Sequence, residues 1–257
     1  LHFCKVNRMK HKTEIFTLAN GIRCLFIPLP VTQIVQCGIV WNAGSRDEFP
    51  AELGLAHFLE HLAFKGTTKR KAWHILNRLD VVGGELNAYT SKEKIVFESA
   101  VTKPHFARAM ELLCDLVFHS TFPPAEIEKE RSVIADEIAM YAENPEESIF
   151  EDFDQLLFGN HTLGQPIAGT IESISQFQQA DFVQFTKRNL TADRICLVVA
   201  GNLSRKKVEA VFAQAASEAL PQKAVWRQEP AFQSVCQKTV YKNMQQGHLI
   251  LGGKAVA

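Results

Sequence analysis

Apolar residues recur along this chain with two periods, and the switches between them predict the order of its elements. Thr13–Ala19 and Ile22–Ile27 flank Asn20-Gly21, a strong short-range hairpin signal. Ile34 to Trp41 reads as a third strand and feeds a loop from Asn42 to Pro50. An apolar run from Leu53 to Phe64 has helical spacing, and a further helix from Trp73 to Val82 is closed by Gly83-Gly84. Strand character returns around Asn87 and again at Ile95–Val101, ahead of a helix from Pro104 to His119. Pro123 and Pro124 are placed to open a long helix over Glu126–Glu143, and Asn144-Pro145 to end it. Beyond it the pattern predicts a helix at Ser148–Phe158, a loop at Gly159–Gly169, a helix at Ala180–Asn189, a strand at Ile195–Ala200 and a helix at Arg205–Leu220. Strands and helices alternate in mixed order, mostly through hairpins. The expected fold is therefore α+β, with a largely antiparallel sheet packed by helices on one side.

The ends depart from this pattern. The first twelve residues are basic but lack the apolar core of a secretory signal, so 1–12 is read as an extension: the end of a transit peptide, or sequence upstream of a start at Met9. One large domain is expected over 13–242. Val235–Tyr241 is strand-like, and His248-Leu249-Ile250-Leu251-Gly252-Gly253 is an apolar strand cut off without a turn, so 243–257 is read as the start of a truncated second domain.

Composition adds exclusions. Hydrophobic residues make up 46% and charged residues 22%, enough for a substantial core. Lys+Arg and Asp+Glu both number 28, so no net charge draws the chain to nucleic acid or a membrane surface, and no apolar stretch approaches a membrane span. The cysteines (Cys4, Cys24, Cys37, Cys114, Cys196, Cys236) are scattered, without a C-x-x-C pair. That suits buried free thiols in a reducing compartment: the bacterial cytoplasm first, the mitochondrial matrix as the alternative.

The candidate chemistry lies in His57-Phe58-Leu59-Glu60-His61. Positions i and i+4 of a helix share a face, so His57 and His61 can hold one divalent ion, and Glu60 is placed to act on a water there. H-x-x-E-H is the reverse of H-E-x-x-H and is a zinc-peptidase spelling. Taken alone, the motif also fits two satisfied core histidines beside a snorkelling glutamate. A catalytic zinc takes a third ligand from another element. On the helix over Glu126–Glu143, one apolar arc collects Ile127, Val133, Ile134, Ile138, Met140 and Tyr141, and Glu130 and Glu137 fall inside it. Two turns separate them, about 10 Å. One is expected to be a ligand and the other to orient a histidine or the backbone; an Arg or Lys neutralising both is the alternative.

The run from His57 to Thr67 (His-Phe-Leu-Glu-His-Leu-Ala-Phe-Lys-Gly-Thr) resembles the signature of the pitrilysin and insulin-degrading peptidases. It is most similar to the β-subunit of the mitochondrial processing peptidase and its small bacterial relatives. Glu130 to Glu137 resembles that family's second block, and Gly83-Gly84-Glu85-Leu86-Asn87-Ala88-Tyr89-Thr90 a third. The resemblance implies a zinc metalloendopeptidase with one Zn2+ per chain, held by His57, His61 and Glu137, with Glu130 in support and Glu60 as general base. It also implies that a peptide substrate adds its backbone to the Asn87-Ala88-Tyr89 edge, with Asn87 and Tyr89 facing the scissile region. A second homologous domain or subunit would close the site and supply residues that grip the substrate carbonyl. The competing class is a non-catalytic partner or scaffold subunit of the same fold, in which metal residues have usually decayed.

Six carboxylates lie between Glu143 and Asp154, either a solvated helix face or an acidic wall favouring basic peptides, as in presequence-cleaving relatives. Lys69-Arg70-Lys71 reads as the exposed start of a helix, and His74, His105, His119 and His161 as structural.

Overall fold

A computed structural model describes residues 13–223, 227–231, 237–241 and 246–253. Among them, six strands build one sheet: β1 (Glu14–Thr17), β2 (Arg23–Pro28), β3 (Ile34–Trp41), β4 (Glu85–Thr90), β5 (Ile95–Thr102) and β6 (Ile195–Gly201). Their order in space is β1-β2-β6-β3-β5-β4, and every neighbouring pair is antiparallel except β2 with β6. Strand alternation sorts the side chains onto two faces. Cys37, Ile39 and Trp41 lie opposite Ser99, Phe97 and Ile95 of β5 and opposite Val199, Leu197 and Ile195 of β6, and all are buried. The other face is open, with Arg23, Gln36 and Glu98 exposed and Leu25 and Val198 only half-buried.

Eight helices are described: α1 (Leu55–Ala63), α2 (Ala72–Asp80), α3 (Phe106–His119), α4 (Pro124–Glu143), α5 (Pro145–Phe158), α6 (Ile171–Gln176), α7 (Gln179–Asn189) and α8 (Arg205–Ala215). α3 packs across β3 and β5, and α1 and α2 pack against β4. The predicted α+β class, the mostly antiparallel sheet and its one-sided helical cover are all present. None of the described helices is long and apolar enough to cross a membrane.

The differences have local causes. α6, at 6 residues, is too short to show a period. α5 starts at Pro145, because Asn144 ends α4 and its side chain accepts from Glu146 N at 3.0 Å to cap the next helix. α8 stops at Ala215, short of Leu220, where the Asn20 side chain takes the carbonyls of Ala216 (2.6 Å) and Glu218 (3.0 Å). Arg70 is no exposed helix start: it pairs with the fully buried Asp115 at 2.5 Å and with Glu111 at 2.8 Å, since a buried carboxylate needs a counter-charge. On α4, Val133 and Met140 are 48% and 58% exposed, outside the narrow stripe that meets α1.

The expected extension 1–12 lies outside the described residues. In the tail, residues 237–241 and 246–253 form no strand, and 235–236, 242–245 and 254–257 fall outside the description. Lys238 instead reaches Asp152 of α5 at 2.6 Å, and the tail lines a groove with Ile149, Phe153 and Leu156 of that helix.

Candidate metal centre

α1 begins where only glycine fits. Gly54 has φ +92°, and a Cβ there would stand 2.6 Å from the Ala168 carbonyl and 2.8 Å from Gly169 Cα. From this start the helix buries Leu55, Ala56, Phe58, Leu59, Leu62 and Ala63. The Phe58 ring meets Phe177 and Phe182 at 6.2 and 5.2 Å. With that face committed to the core, the 3.6-residue period leaves His57, Glu60 and His61 on the flank towards α4 and β4.

There the two distant stretches meet. His57 Nε2 and His61 Nε2 lie 3.6 and 3.5 Å from the same Glu137 oxygen, Oε2. One ligand atom from each residue falls within 4.8 Å of the other two. The edge of a zinc-centred tetrahedron with N and O ligands is about 3.3 Å. The N···O separations are therefore near what an ion requires and long for a direct hydrogen bond. Two imidazoles and a carboxylate converging on one point form a donor set that zinc accepts. The neighbours fit as well. His61 Nδ1 lies 3.3 Å from Glu130 Oε2, and Lys65 holds the other Glu130 oxygen at 2.7 Å. Glu130 thus meets both a histidine and a lysine, combining the two roles open to it. Tyr141 donates to Glu137 Oε1 at 3.0 Å, and Thr90 donates to Glu60 Oε2 at 2.5 Å. Among the described residues the buried His57 Nδ1 has no hydrogen-bond partner.

Electrostatics divides the pair of histidines. Burial first, then the neighbouring His61, push His57 down to about 4 against the pull of Glu137, so its ring is neutral. Burial also acts to lower His61, but Glu137 and Glu130 outweigh it and the net shift is upward. The facing His61 imidazole holds Glu137 below the usual carboxylate range despite burial. Glu60 moves the other way: burial raises it, and the Thr90 hydroxyl and His61 only partly offset that.

His57, Glu60, His61 and Glu137 line a cavity of about 430 Å³ between α1, α4, α5 and the edge strand β4. Ala88, Tyr89 and Thr90 contribute from β4. Asn87 does not line it: it pairs in register with Glu98, on the open face of the sheet. Asn87 and Tyr89, two residues apart, share a face of β4, yet only Tyr89 lines the cavity. Glu147, Glu151 and Asp154 of α5 form an acidic side, with Lys92 bound to Asp154 at 3.5 Å. Sequence reasoning assigned no role to Thr90, Tyr141, Lys65 or Lys92. Thr90 and Lys65 lie inside recognised motif blocks, but only a polar partner across space gives them a task.

The family model for insulinase (peptidase family M16) matches residues 23–171. The "Uncharacterized zinc protease YmxG" of Bacillus subtilis is 36% identical over 241 residues, covering 94% of this chain and 59% of that protein. An "Uncharacterized zinc protease" of Rickettsia bellii is 38% identical over 200 residues, covering 78% of this chain and 48% of its own length. The chain thus spans about half the length of the curated relatives it matches. Among solved structures, a peptidase M16 inactive domain from Pseudomonas fluorescens superposes with a TM-score of 0.78 at 20% identity, over 86% of this chain and 54% of that one. The fold is shared with that structure, and the sequence match extends through both the H-x-x-E-H helix and the glutamate helix; this chain belongs to the insulinase, or M16, peptidase family.

Proposed function

We propose that the protein is the zinc-binding half of a metalloendopeptidase that cleaves extended peptides or unfolded segments. The observation that carries this reading is the convergence of His57, His61 and Glu137, with Glu60 in the same cavity beside a strand edge that is unpaired among the described residues. His57, His61 and Glu137 would hold one Zn2+. When bound, zinc supplies Lewis acidity, bringing the pKa of a water towards about 7 and polarising a carbonyl.

The chain's own groups do the rest. Glu60 takes a proton from the attacking water and passes it to the leaving amine. Burial raises its affinity for that proton, opposed in part by the Thr90 hydroxyl and His61. Thr90 fixes one Glu60 oxygen and leaves the other free. Glu130 holds the His61 ring through Nδ1, so that Nε2 faces Glu137. The outer edge of β4, from Asn87 through Ala88 and Tyr89, offers backbone groups to an extended substrate, a mode that folded proteins cannot satisfy. A second homologous domain or subunit, begun at 243–257 or supplied separately, closes the cavity over the catalytic domain of 13–242. Free Cys24, Cys37, Cys114 and Cys196 agree with a reducing compartment, the cytoplasm or else the mitochondrial matrix.

A non-catalytic scaffold of the same fold is the second reading, and the intact metal-ligand set argues against it. The test is Glu60→Gln in the intact protein. Zinc content stays near one per chain while peptide hydrolysis falls by about 10²- to 10⁴-fold. Full activity in that variant removes Glu60 from its role, and a parent protein without zinc favours the scaffold.

A further inference from the structure

Glu48 lies outside the motif and outside the cavity, yet it is one of the most deeply buried charged groups described, at 5% exposure. Its two oxygens hold the start of α1. Oε2 accepts from Gly54 N at 3.0 Å and Oε1 from Ala56 N at 2.8 Å. Those amides belong to the first turn, where no intrahelical acceptor exists. Gly54 has no side chain to cap them. A local cap would ordinarily come from Ser, Thr, Asp or Asn at the N-cap position, worth about 1 kcal/mol. Burying a full carboxylate for that alone is unfavourable, and burial does push Glu48 well above the usual carboxylate range against both hydrogen bonds. A bidentate grip on two amides of one turn does something a single cap bond cannot: it fixes both the rise and the rotation of the helix.

The grip is anchored at its other end. Asp47, the preceding residue, binds Arg194 at 2.8 Å, Arg227 at 2.7 Å and Gly44 N at 3.1 Å. The opposite side of the same turn is held by Ser173 Oγ, which donates to the Leu53 carbonyl at 2.7 Å, and by the close approach of Gly169 to Gly54. The residue after Ala56 is His57, and His61 follows one turn later. A rotation of α1 by 10° would carry an imidazole nitrogen, some 6–7 Å from the axis, by about 1 Å, beyond the roughly 0.5 Å tolerance of a metal site. We propose that Glu48 is a positioning residue for the metal centre, setting the phase of α1 and so the directions of His57 and His61. This rests on the zinc reading given above.

The test measures metal, with no need for turnover. Zinc affinity is determined by chelator competition in the intact protein and in Glu48→Gln, which keeps the shape but turns an NH2 group towards one of the two amides. Cobalt replaces zinc in parallel samples, because its visible bands report ligand geometry. The expected result is a loss of about tenfold or more in zinc affinity, with altered cobalt bands and an unchanged far-UV circular dichroism spectrum. Should Glu48→Gln fail to fold, Glu48→Asp, with its charge kept and its reach one methylene shorter, carries the same expectation. Asn20→Ala, which releases a tether at the end of α8, is the control: it lowers the melting temperature and leaves zinc affinity alone. Folded Glu48 variants with parental zinc affinity and cobalt bands overturn the proposal and reduce Glu48 to a helix cap. A parent protein that takes up no zinc overturns the metal reading, and this inference with it.

Discussion

Thr90 on the edge strand donates its hydroxyl to Glu60 on α1 at 2.5 Å, so the strand beside the cavity aims the carboxylate inside it. The bond favours the ionised form of Glu60, opposing the effect of burial. Thr90→Val keeps the shape and removes the donor. Glu60 then titrates higher still, and the acid limb of the pH profile of kcat/KM moves to higher pH. The loss of a hydrogen bond to a charged group, about 1.5–3 kcal/mol, sets the scale of the fall in rate. An acid limb that stays in place disconnects Thr90 from the base.

Zinc retention ranks the two α4 glutamates. Glu137→Gln replaces a charged ligand by a neutral one and lowers zinc affinity by more than about a hundredfold. Glu130→Gln only loosens the His61 ring and lowers it by about 10- to 100-fold. Equilibrium dialysis against zinc buffers measures both. An unchanged zinc content in Glu137→Gln reassigns the third ligand.

Protons compete with the metal mainly at His61. Its pKa is raised above the ordinary 6.5 in the metal-free site, whereas that of His57 sits at about 4. Zinc uptake near neutrality therefore expels a proton from His61 and almost none from His57. The fraction of a proton released rises as pH is lowered, and affinity begins to weaken at a higher pH than an ordinary histidine would dictate. Calorimetry in buffers of different ionisation enthalpy reads this directly. Proton release that begins only in strongly acidic solution contradicts the assignment.

The acidic side of the cavity predicts a substrate preference. Glu147, Glu151 and Asp154 face the candidate metal ligands, and Lys92 neutralises Asp154. Peptides with basic residues are expected to be cleaved in preference to acidic peptides of equal length. Lys92→Gln widens that preference by about fivefold, the equivalent of ~1 kcal/mol for one part-exposed pair, and the change falls in KM. Equal cleavage of both peptides retires the idea.

Much of this architecture was legible in the chain. β3 has the limits its period predicts, and the hairpin at Asn20-Gly21 closes as expected. Helical periodicity places His57 and His61 on one face of α1 and both Glu130 and Glu137 on the apolar arc of α4; the choice of Glu137 as the one that meets the histidines came from the family resemblance. What stayed hidden depends on partners remote in sequence. The exposure of Val133 and Met140 follows from how narrowly α1 meets α4, which no window along α4 contains. Asn87 and Tyr89 share an alternation class, yet only Tyr89 lines the cavity. Arg70 reads as part of a solvated basic run until Asp115 is found beneath it. Glu48 looks like an ordinary loop acid until its carboxylate is seen against the amides of α1.

The placement of β6 between β2 and β3 has a consequence for biogenesis. The first hairpin has no place in the sheet until residues 195–201, about 170 positions later, have left the ribosome. By then the segments carrying both histidines and the acid have long been synthesised and can already associate through β3, β5 and β4. Pairing at such separation is slow, because chain closure must precede any reward from contact. A nascent polypeptide stalled before that point would expose the rims of β2 and β3 to intermolecular pairing, and there chaperone demand should be greatest.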